Sequence, residues 1–302
     1  MISRLPSLLV LAAAVFALAA CAGPPPAPPR QAVPAALGAG DHAWRTADGN
    51  AMPYSVAGDG EVTVLLVHCW MCDRSFWSAQ VPELARRYRT VSIDLPGHGQ
   101  AGAERADWTV AAYGEDVAGL IQGLDLSRVV LVGHSMGGPV SLRAAALAPG
   151  RVLGIVAVDT LHDAEFEFSG ERVEGFLRAF EADFPGTCEQ FVHRMFPEEG
   201  VEAIEAHVRE VGCRAERSAI GVALMRDFGA IEMERWFSEA KVPIRAINAA
   251  GGSPTRTETN RRYADFDAVT VEGVGHYLHM TRPDEFNPLL LAAIARIAGQ
   301  AP

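Results

Sequence analysis

Six short runs constrain the fold most: VTVLLVH (62–68), TVSIDL (90–95), RVVLVGH (128–134), VLGIVAVD (152–159), VPIRAIN (242–248) and DAVTVEG (267–273). Each is nearly continuous in Val, Ile and Leu instead of alternating with polar residues, as expected of a strand buried on both faces of a sheet. The stretches between them are longer and helical in period, among them SFWSAQVPELARRY, VAAYGEDVAGLIQGL and PVSLRAAALA. Strand and helix in alternation predict an open, mostly parallel α/β sheet flanked by helices. With 302 residues, 49% of them hydrophobic, the chain can build one large domain or one domain with an insertion.

The rhythm breaks between the fourth and fifth runs. Residues 160–241 have helical periodicity and no convincing strand, which predicts an inserted helical cap over 162–235. The core then comprises 41–161 and 236–302. In EAIEAHVREVGC, Val201 or Ile204, Val208 and Val211 recur at helical spacing, leaving Glu202, Glu205 and Arg209 for water. The segments FEF and FLRAF and several methionines either line an apolar pocket or pack the cap onto the body. The cap carries 17 Asp and Glu against 8 Arg and no Lys, a net −9 out of −11 for the whole chain. That charge is either a solvated face or, where it surrounds an entrance, a field that disfavours polyanionic substrates, and a pI near 5.3 argues against a nucleic-acid partner.

Residues 1–20 hold Arg4 and then the apolar run SLLVLAAAVFALAA, too short for a spanning helix and typical of a signal peptide. Leu18-Ala19-Ala20-Cys21 resembles the bacterial lipobox, which implies cleavage before Cys21 and its acylation; an uncleaved anchor or an ordinary secretory signal are the other readings. Residues 21–40 are rich in Pro, Ala and Gly and suit an extended tether. The lipobox reading implies an extracytoplasmic, membrane-anchored protein, and the residue after Cys21, Ala22, resembles those that send lipoproteins to an outer membrane facing the periplasm.

RVVLVGHSMGGPVSLRAAALA sets Gly133-His134-Ser135-Met136-Gly137 between a strand and a helix. A G-x-S-x-G turn in that context is so sharp that its flanking positions want no side chain, and it thrusts the serine out at the carboxyl end of the strand. From about residue 44 to 298 the chain resembles the α/β-hydrolase superfamily, through IDLPGHG (93–99), HSMGG (134–138) and VGHY (274–277) in that order. The resemblance implies an eight-stranded sheet and a triad of serine, histidine and acid, with neither metal nor organic cofactor.

A serine hydroxyl is a weak nucleophile at neutral pH and needs a base. His276 follows the last β run and precedes the final helix, where the superfamily keeps its base; His279 is the nearest rival. His68, His98 and His134 are expected to shape turns, and His162 lies near enough to touch substrate. The developing oxyanion needs two N–H donors. The resemblance assigns them to Met136, after the nucleophile, and to Trp70, in a loop that in relatives begins His-Gly-x; here Cys69 replaces the glycine.

The acid is harder to place. Superfamily members commonly carry it in the loop after the strand that here reads VPIRAIN, yet INAAGGSP has Ala250 at that position and no acid precedes Glu258. Some members place it one strand earlier, where this chain has Asp159. Asp163, Glu258 and no acid at all are the alternatives, and Asp159 can also be a helix-capping residue.

Cys69 and Cys72 form C-W-M-C, open to thiol-redox chemistry, a local disulfide or two inert buried thiols. Cys188 and Cys213 suggest a disulfide within the cap, the alternative being a metal site with His193 and His207, although their spacing matches no standard zinc pattern. Together these features predict a serine hydrolase whose partner is a small-molecule ester, small or medium and uncharged. Cofactor-free haloperoxidases or perhydrolases, carbon–carbon hydrolases and a non-catalytic binding protein remain as readings of the same scaffold.

Overall fold

The computed structural model describes residues 37–300; the signal segment, Cys21 and most of the tether lie outside the described residues. The strands are β1 (Gly40–Arg45), β2 (Ala51–Ala57), β3 (Thr63–Val67), β4 (Arg89–Ile93), β5 (Val129–His134), β6 (Val152–Val158), β7 (Ile244–Ala249) and β8 (Phe266–Val271). They form one eight-stranded sheet in the order β1-β2-β4-β3-β5-β6-β7-β8. β1 and β2 pair antiparallel, β2 joins β4 antiparallel, and every other pairing is parallel.

The apolar runs are continuous because both faces of the central strands are covered. On β3, β5 and β6, Leu65, Val67, Leu131, Ile155 and Ala157 join one core. Their neighbours Leu66, Val130, Val132, Val156 and Val158 join the other. Two-residue periodicity divides each strand between these cores.

The helices are α1 (Val81–Leu84), α2 (Val110–Gly123), α3 (Gly137–Leu147), α4 (Glu171–Ala182), α5 (Phe184–His193), α6 (Glu202–Gly212), α7 (Ser218–Asp227), α8 (Met233–Ala240), α9 (Thr257–Asn260), α10 (Leu278–Thr281) and α11 (Pro283–Ala298). α2 and α3 supply Val117, Ile121 and Leu142 to the first core, and α11 supplies Phe286, Leu290 and Ile294 to the second. Between β6 and β7 the described segment holds α4 to α8 and no strand. α8 packs on α3, so the last helix of this segment lies against the sheet domain.

Three local expectations change. SFWSAQVPELARRY is not one helix but a 3-10 turn at Arg74–Trp77 followed by the short α1. Pro82 is the cause: lacking an N–H and clashing with the carbonyl four residues back, it is tolerated only in a first turn. β1 and β2 form an additional hairpin at the sheet edge. Finally, Glu205 is largely covered, its carboxylate 3.0 Å from His193 Nδ1 and 3.7 Å from Arg209 Nε.

Candidate active site

β5 runs into α3 through a turn in which Ser135 has φ +52°, the left-handed region that a residue with a side chain enters only when its surroundings enforce it. A Cβ on Gly133 would lie 2.2 Å from the Gly137 carbonyl oxygen, and one on Gly137 would lie 2.4 Å from that of Val67. No real Cβ tolerates such approaches, so both flanking positions require glycine. Two further bonds hold the turn: Ser135 N–H donates to the Val158 carbonyl at 3.1 Å, and Thr160 Oγ1 donates to the Ser135 carbonyl at 2.8 Å.

His276 comes from the loop after β8. Its N–H donates to the Met195 carbonyl at 3.1 Å, and its carbonyl accepts from His134 Nε2 at 2.9 Å. Its Nδ1–H donates to Asp159 Oδ2 at 2.5 Å. Ser135 and His276 line the same two adjoining cavities.

Asp159 directly follows β6 and has φ +43°. Its N–H extends the β6–β7 ladder to the Ile247 carbonyl at 3.0 Å, while its Oδ1 accepts the Ala249 N–H at 2.8 Å. The side chain is 5% exposed. Burial alone raises its pKa, but the His276 hydrogen bond and charge, His162 and the Ala249 N–H outweigh that and hold the carboxyl below its ordinary value.

The other candidates lie elsewhere. Asp163 Oδ1 closes a turn onto the Glu165 N–H at 3.0 Å. Glu258 pairs with Arg261 and is 86% exposed. Ala250, at the usual position of the acid, has its N–H bonded to the Val271 carbonyl. His279 is fully buried against Trp77 and His134, where desolvation pushes its pKa down to about 3. His68 ties the Cys69 carbonyl to the Leu95 N–H, and His98 bonds the Pro96 carbonyl.

After β3, Cys69 and Cys72 are joined in a disulfide that spans Trp70 and Met71. Met71, at φ +56°, takes the left-handed position, and Cys69 accommodates its Cβ without one. The Trp70 indole donates to the Gly221 carbonyl at 3.0 Å and packs against Phe180, Phe184 and Phe191, tying this loop to the helical segment. Among the described residues the main-chain N–H groups of Trp70 and Met136 have no protein acceptor. Met136 stands at the N-terminus of α3, whose dipole favours negative charge there.

The larger cavity, about 950 Å³, is walled by Phe166, Val173, Phe176, Phe191, Val192 and Met225. The second, about 650 Å³, adds Asp159, His162, Arg194 and Arg256 to the shared Ser135 and His276. From the expected aromatic segments Phe166, Phe168 and Phe176 reach the first cavity, whereas Phe180 is fully buried beneath it. Phe191 and Val173 were not separable in the sequence from packing residues of an amphipathic helix. Cys188 and Cys213 are disulfide-bonded across α5 and the end of α6, so their sulfurs are not free as metal ligands. The half-buried base, its buried carboxylate partner and the half-buried hydroxyl on the cavity wall can together transfer a proton and form a bond at one carbon.

A family model described as alpha/beta hydrolase fold matches residues 62–196. A thermophilic esterase from Thermogutta terrifontis, solved with malate bound, superposes with a TM-score of 0.74 at 22% identity over 86% of this chain and 100% of that one. The fold is that of the α/β hydrolases. A bromoperoxidase from Bacillus anthracis shares this α/β-hydrolase fold, with a TM-score of 0.72 at 19% identity over 83% of this chain and 98% of that one.

Among curated proteins, the chain is 26% identical to 2-(acetamidomethylene)succinate hydrolase from Mesorhizobium japonicum, over 67% of this chain and 76% of that protein. It is 36% identical to the dihydrolipoyllysine-residue acetyltransferase component of an acetoin cleaving system from Pseudomonas putida, over 42% of this chain. The match spans 34% of that relative's length. Family model and solved structures agree on the α/β-hydrolase fold.

Proposed function

We propose that this α/β-hydrolase-fold protein is a serine hydrolase that cleaves small or medium uncharged carboxylic esters through an acyl-enzyme. The observation that carries the reading is the 2.5 Å bond from His276 Nδ1 to Asp159 Oδ2, next to an elbow that forces Ser135 into the same cavities. Ser135 Oγ attacks the ester carbonyl as His276 Nε2 takes its proton, and the oxyanion accepts from the N–H groups of Met136 and Trp70. The bond to the alcohol oxygen then breaks, and His276 returns the proton to that oxygen. Water attacks the acyl-enzyme with His276 again as base, and the acid leaves as Ser135 regains its proton.

The apolar cavity suits the acyl chain and the more polar one the alcohol. The net −9 over residues 162–235 disfavours a polyanionic substrate. A fluorophosphonate probe labels only an activated serine. Labelling of the wild type, its loss in Ser135→Ala and turnover of p-nitrophenyl esters graded in chain length are the expected results. A well-folded wild type that neither labels nor hydrolyses any of the esters is a binding protein instead.

We further infer a bacterial lipoprotein acylated at Cys21 and held outside the cytoplasm, at an outer membrane facing the periplasm. The disulfides Cys69–Cys72 and Cys188–Cys213 support this, since such bonds persist in oxidising compartments. A palmitate analogue fed to cells should label the protein, and Cys21→Ser should remove the label; label surviving that substitution overturns the anchor.

A further inference from the structure

A second imidazole stands on the side of Asp159 away from His276. His162 Nε2 lies 3.6 Å from Asp159 Oδ1, the oxygen that His276 does not use. Its tautomer follows from neighbours that can pair in only one way. The Thr160 N–H can only donate, so the Asn248 atom 3.2 Å from it is the amide oxygen. The amide NH₂ of Asn248 therefore faces His162 Nδ1 at 3.2 Å and Thr255 Oγ1 at 2.8 Å. Thr255 Oγ1, with its lone pair engaged by Asn248, has its own proton free for the same His162 Nδ1 at 3.3 Å. With donors converging on Nδ1, the ring proton sits on Nε2 and faces the carboxylate.

We propose that His162 is a positioning residue for Asp159. The Ala249 N–H holds Oδ1, and the Nε2–H of His162, 3.6 Å away and beyond hydrogen-bond length, attracts the same oxygen electrostatically, so that Oδ2 is presented to His276. This inference rests on the reading of Ser135, His276 and Asp159 as the reacting set. A carboxylate rotates about its last bond, and one backbone donor at Oδ1 leaves that rotation weakly opposed; a second N–H dipole, carried by a half-buried ring that Asn248 and Thr255 hold in place, opposes it from another direction. His162 acts in its neutral form. Burial, its largest influence, lowers its pKa against the pull of Asp159, and a cation there would compete with protonated His276 for the same carboxylate. The device is built from the strand that lacks the acid: Asn248 and Ala249 are the last two residues of β7.

His162 also lines the polar cavity, so the test must separate positioning from contact with the alcohol. Deacylation does so, because the alcohol has already left. In pre-steady-state hydrolysis of a p-nitrophenyl ester, His162→Phe should slow both acylation and deacylation about fivefold, less than the loss of a full charge-assisted hydrogen bond. His162→Gln, which keeps an N–H donor, should recover to within about 1.5-fold of wild type on the same scale. Wild-type deacylation in His162→Phe, while Ser135→Ala abolishes acylation, overturns the role of His162 and leaves the serine mechanism standing. Acyl-enzyme formation persisting in Ser135→Ala overturns the mechanism itself. Should His162→Phe fail to fold, imidazole ¹⁵N–¹H spectra of the wild type decide: a neutral Nε2–H tautomer of His162 is expected, and an Nδ1–H tautomer or a cation at neutral pH overturns the proposal.

Discussion

Replacing Asp159 by asparagine changes a single atom and, through three neighbours, reverses the function of the base. The Ala249 N–H, 2.8 Å from Oδ1, is buried main chain and cannot turn away. Leaving it unpaired costs about 1–3 kcal/mol, so the new amide keeps its oxygen there. His162 Nε2, on the same side at 3.6 Å, favours the same choice. The amide NH₂ then replaces Oδ2, which is 2.5 Å from His276 Nδ1 in the native protein. To accept from it, His276 must carry its own proton on Nε2, the nitrogen that has to take the Ser135 proton. A base held in the wrong tautomer loses on the order of 10⁴ in turnover, about 5 kcal/mol in activation free energy. Steady-state hydrolysis of a p-nitrophenyl ester measures this, with circular dichroism and the melting temperature showing that the fold survives. Asp163→Asn is the control, since that carboxylate only closes a turn onto Glu165, and it should change little. Asp159→Asn keeping more than about a tenth of wild-type turnover would refute the tautomer argument.

Three other perturbations have defined outcomes. His279 binds no proton in the folded protein until about pH 3, whereas the unfolded chain binds one below about 6.5, so stability is full above 6.5 and falls as the pH drops. From pH 7 to 5, urea unfolding of His279→Phe should lose about 2 kcal/mol less than the wild type, and equal losses would remove His279 as a source of acid lability. Cys188→Ala combined with Cys213→Ala opens a link between residues 25 apart, worth about 3–4 kcal/mol by loop entropy; unchanged denaturation would show that the bond constrains nothing. Gly137→Ala drives a Cβ to 2.4 Å from the Val67 carbonyl and should cost about 3 kcal/mol or more, read as lost soluble yield and a lower melting temperature; wild-type melting would mean that the elbow relaxes freely.

Of the strands legible in the sequence, β3 to β7 are covered on both faces, whereas β8, expected to be buried likewise, is the sheet edge and leaves Val269 and Thr270 exposed. VVLVGH reads as a strand because Val129 and Leu131 serve one core while Val130 and Val132 serve the other. β1 and β2 escaped because an edge hairpin has no such run. β1 is mostly exposed, and on β2 the alternation of buried Met52, Tyr54 and Val56 is regular but carries Pro53, a residue that argues against a strand in the sequence. The asparate–glycine pair at Asp48-Gly49, between the two, was the available signal. Overreading went the other way in SFWSAQVPELARRY, where helical period was followed across Pro82. Phe76 and Trp77 in fact serve opposite cores.

Legibility of the site follows the sequence distance over which each constraint acts. Ser135 is legible because its constraint is local: Gly133 and Gly137 are two residues away on either side. Asp159 emerges from comparing two strand ends, since INAAGGSP has no acid where one is usual. The arrangement around His162 was not legible, because its tautomer depends on Asn248, 86 residues further along, and on which end of that amide faces Thr160. Likewise Phe191 and Val173 carry the same helical spacing whether they fill a core or wall a cavity. Only their placement around the cavity that Ser135 and His276 also line distinguishes the two.

The displaced acid is consistent with the register of the sheet. β6 and β7 run parallel with Val158 opposite Ile247, and the Asp159 N–H continues that ladder to the Ile247 carbonyl. Asp159 is therefore level with the last two residues of β7, near the position from which an acid on β7 would act. Its left-handed backbone turns the side chain across the strand ends toward His276, and the Ala249 N–H receives it there. Ala250, one residue on, is bonded to β8 through the Val271 carbonyl and takes no part. Moving the carboxylate one strand over thus leaves the imidazole where it was and converts β7 from the strand that carries the acid into the strand that holds it. An acid restored at Ala250 alone would meet an imidazole already paired and a carboxylate already anchored, which is why the two positions are alternatives and not additive.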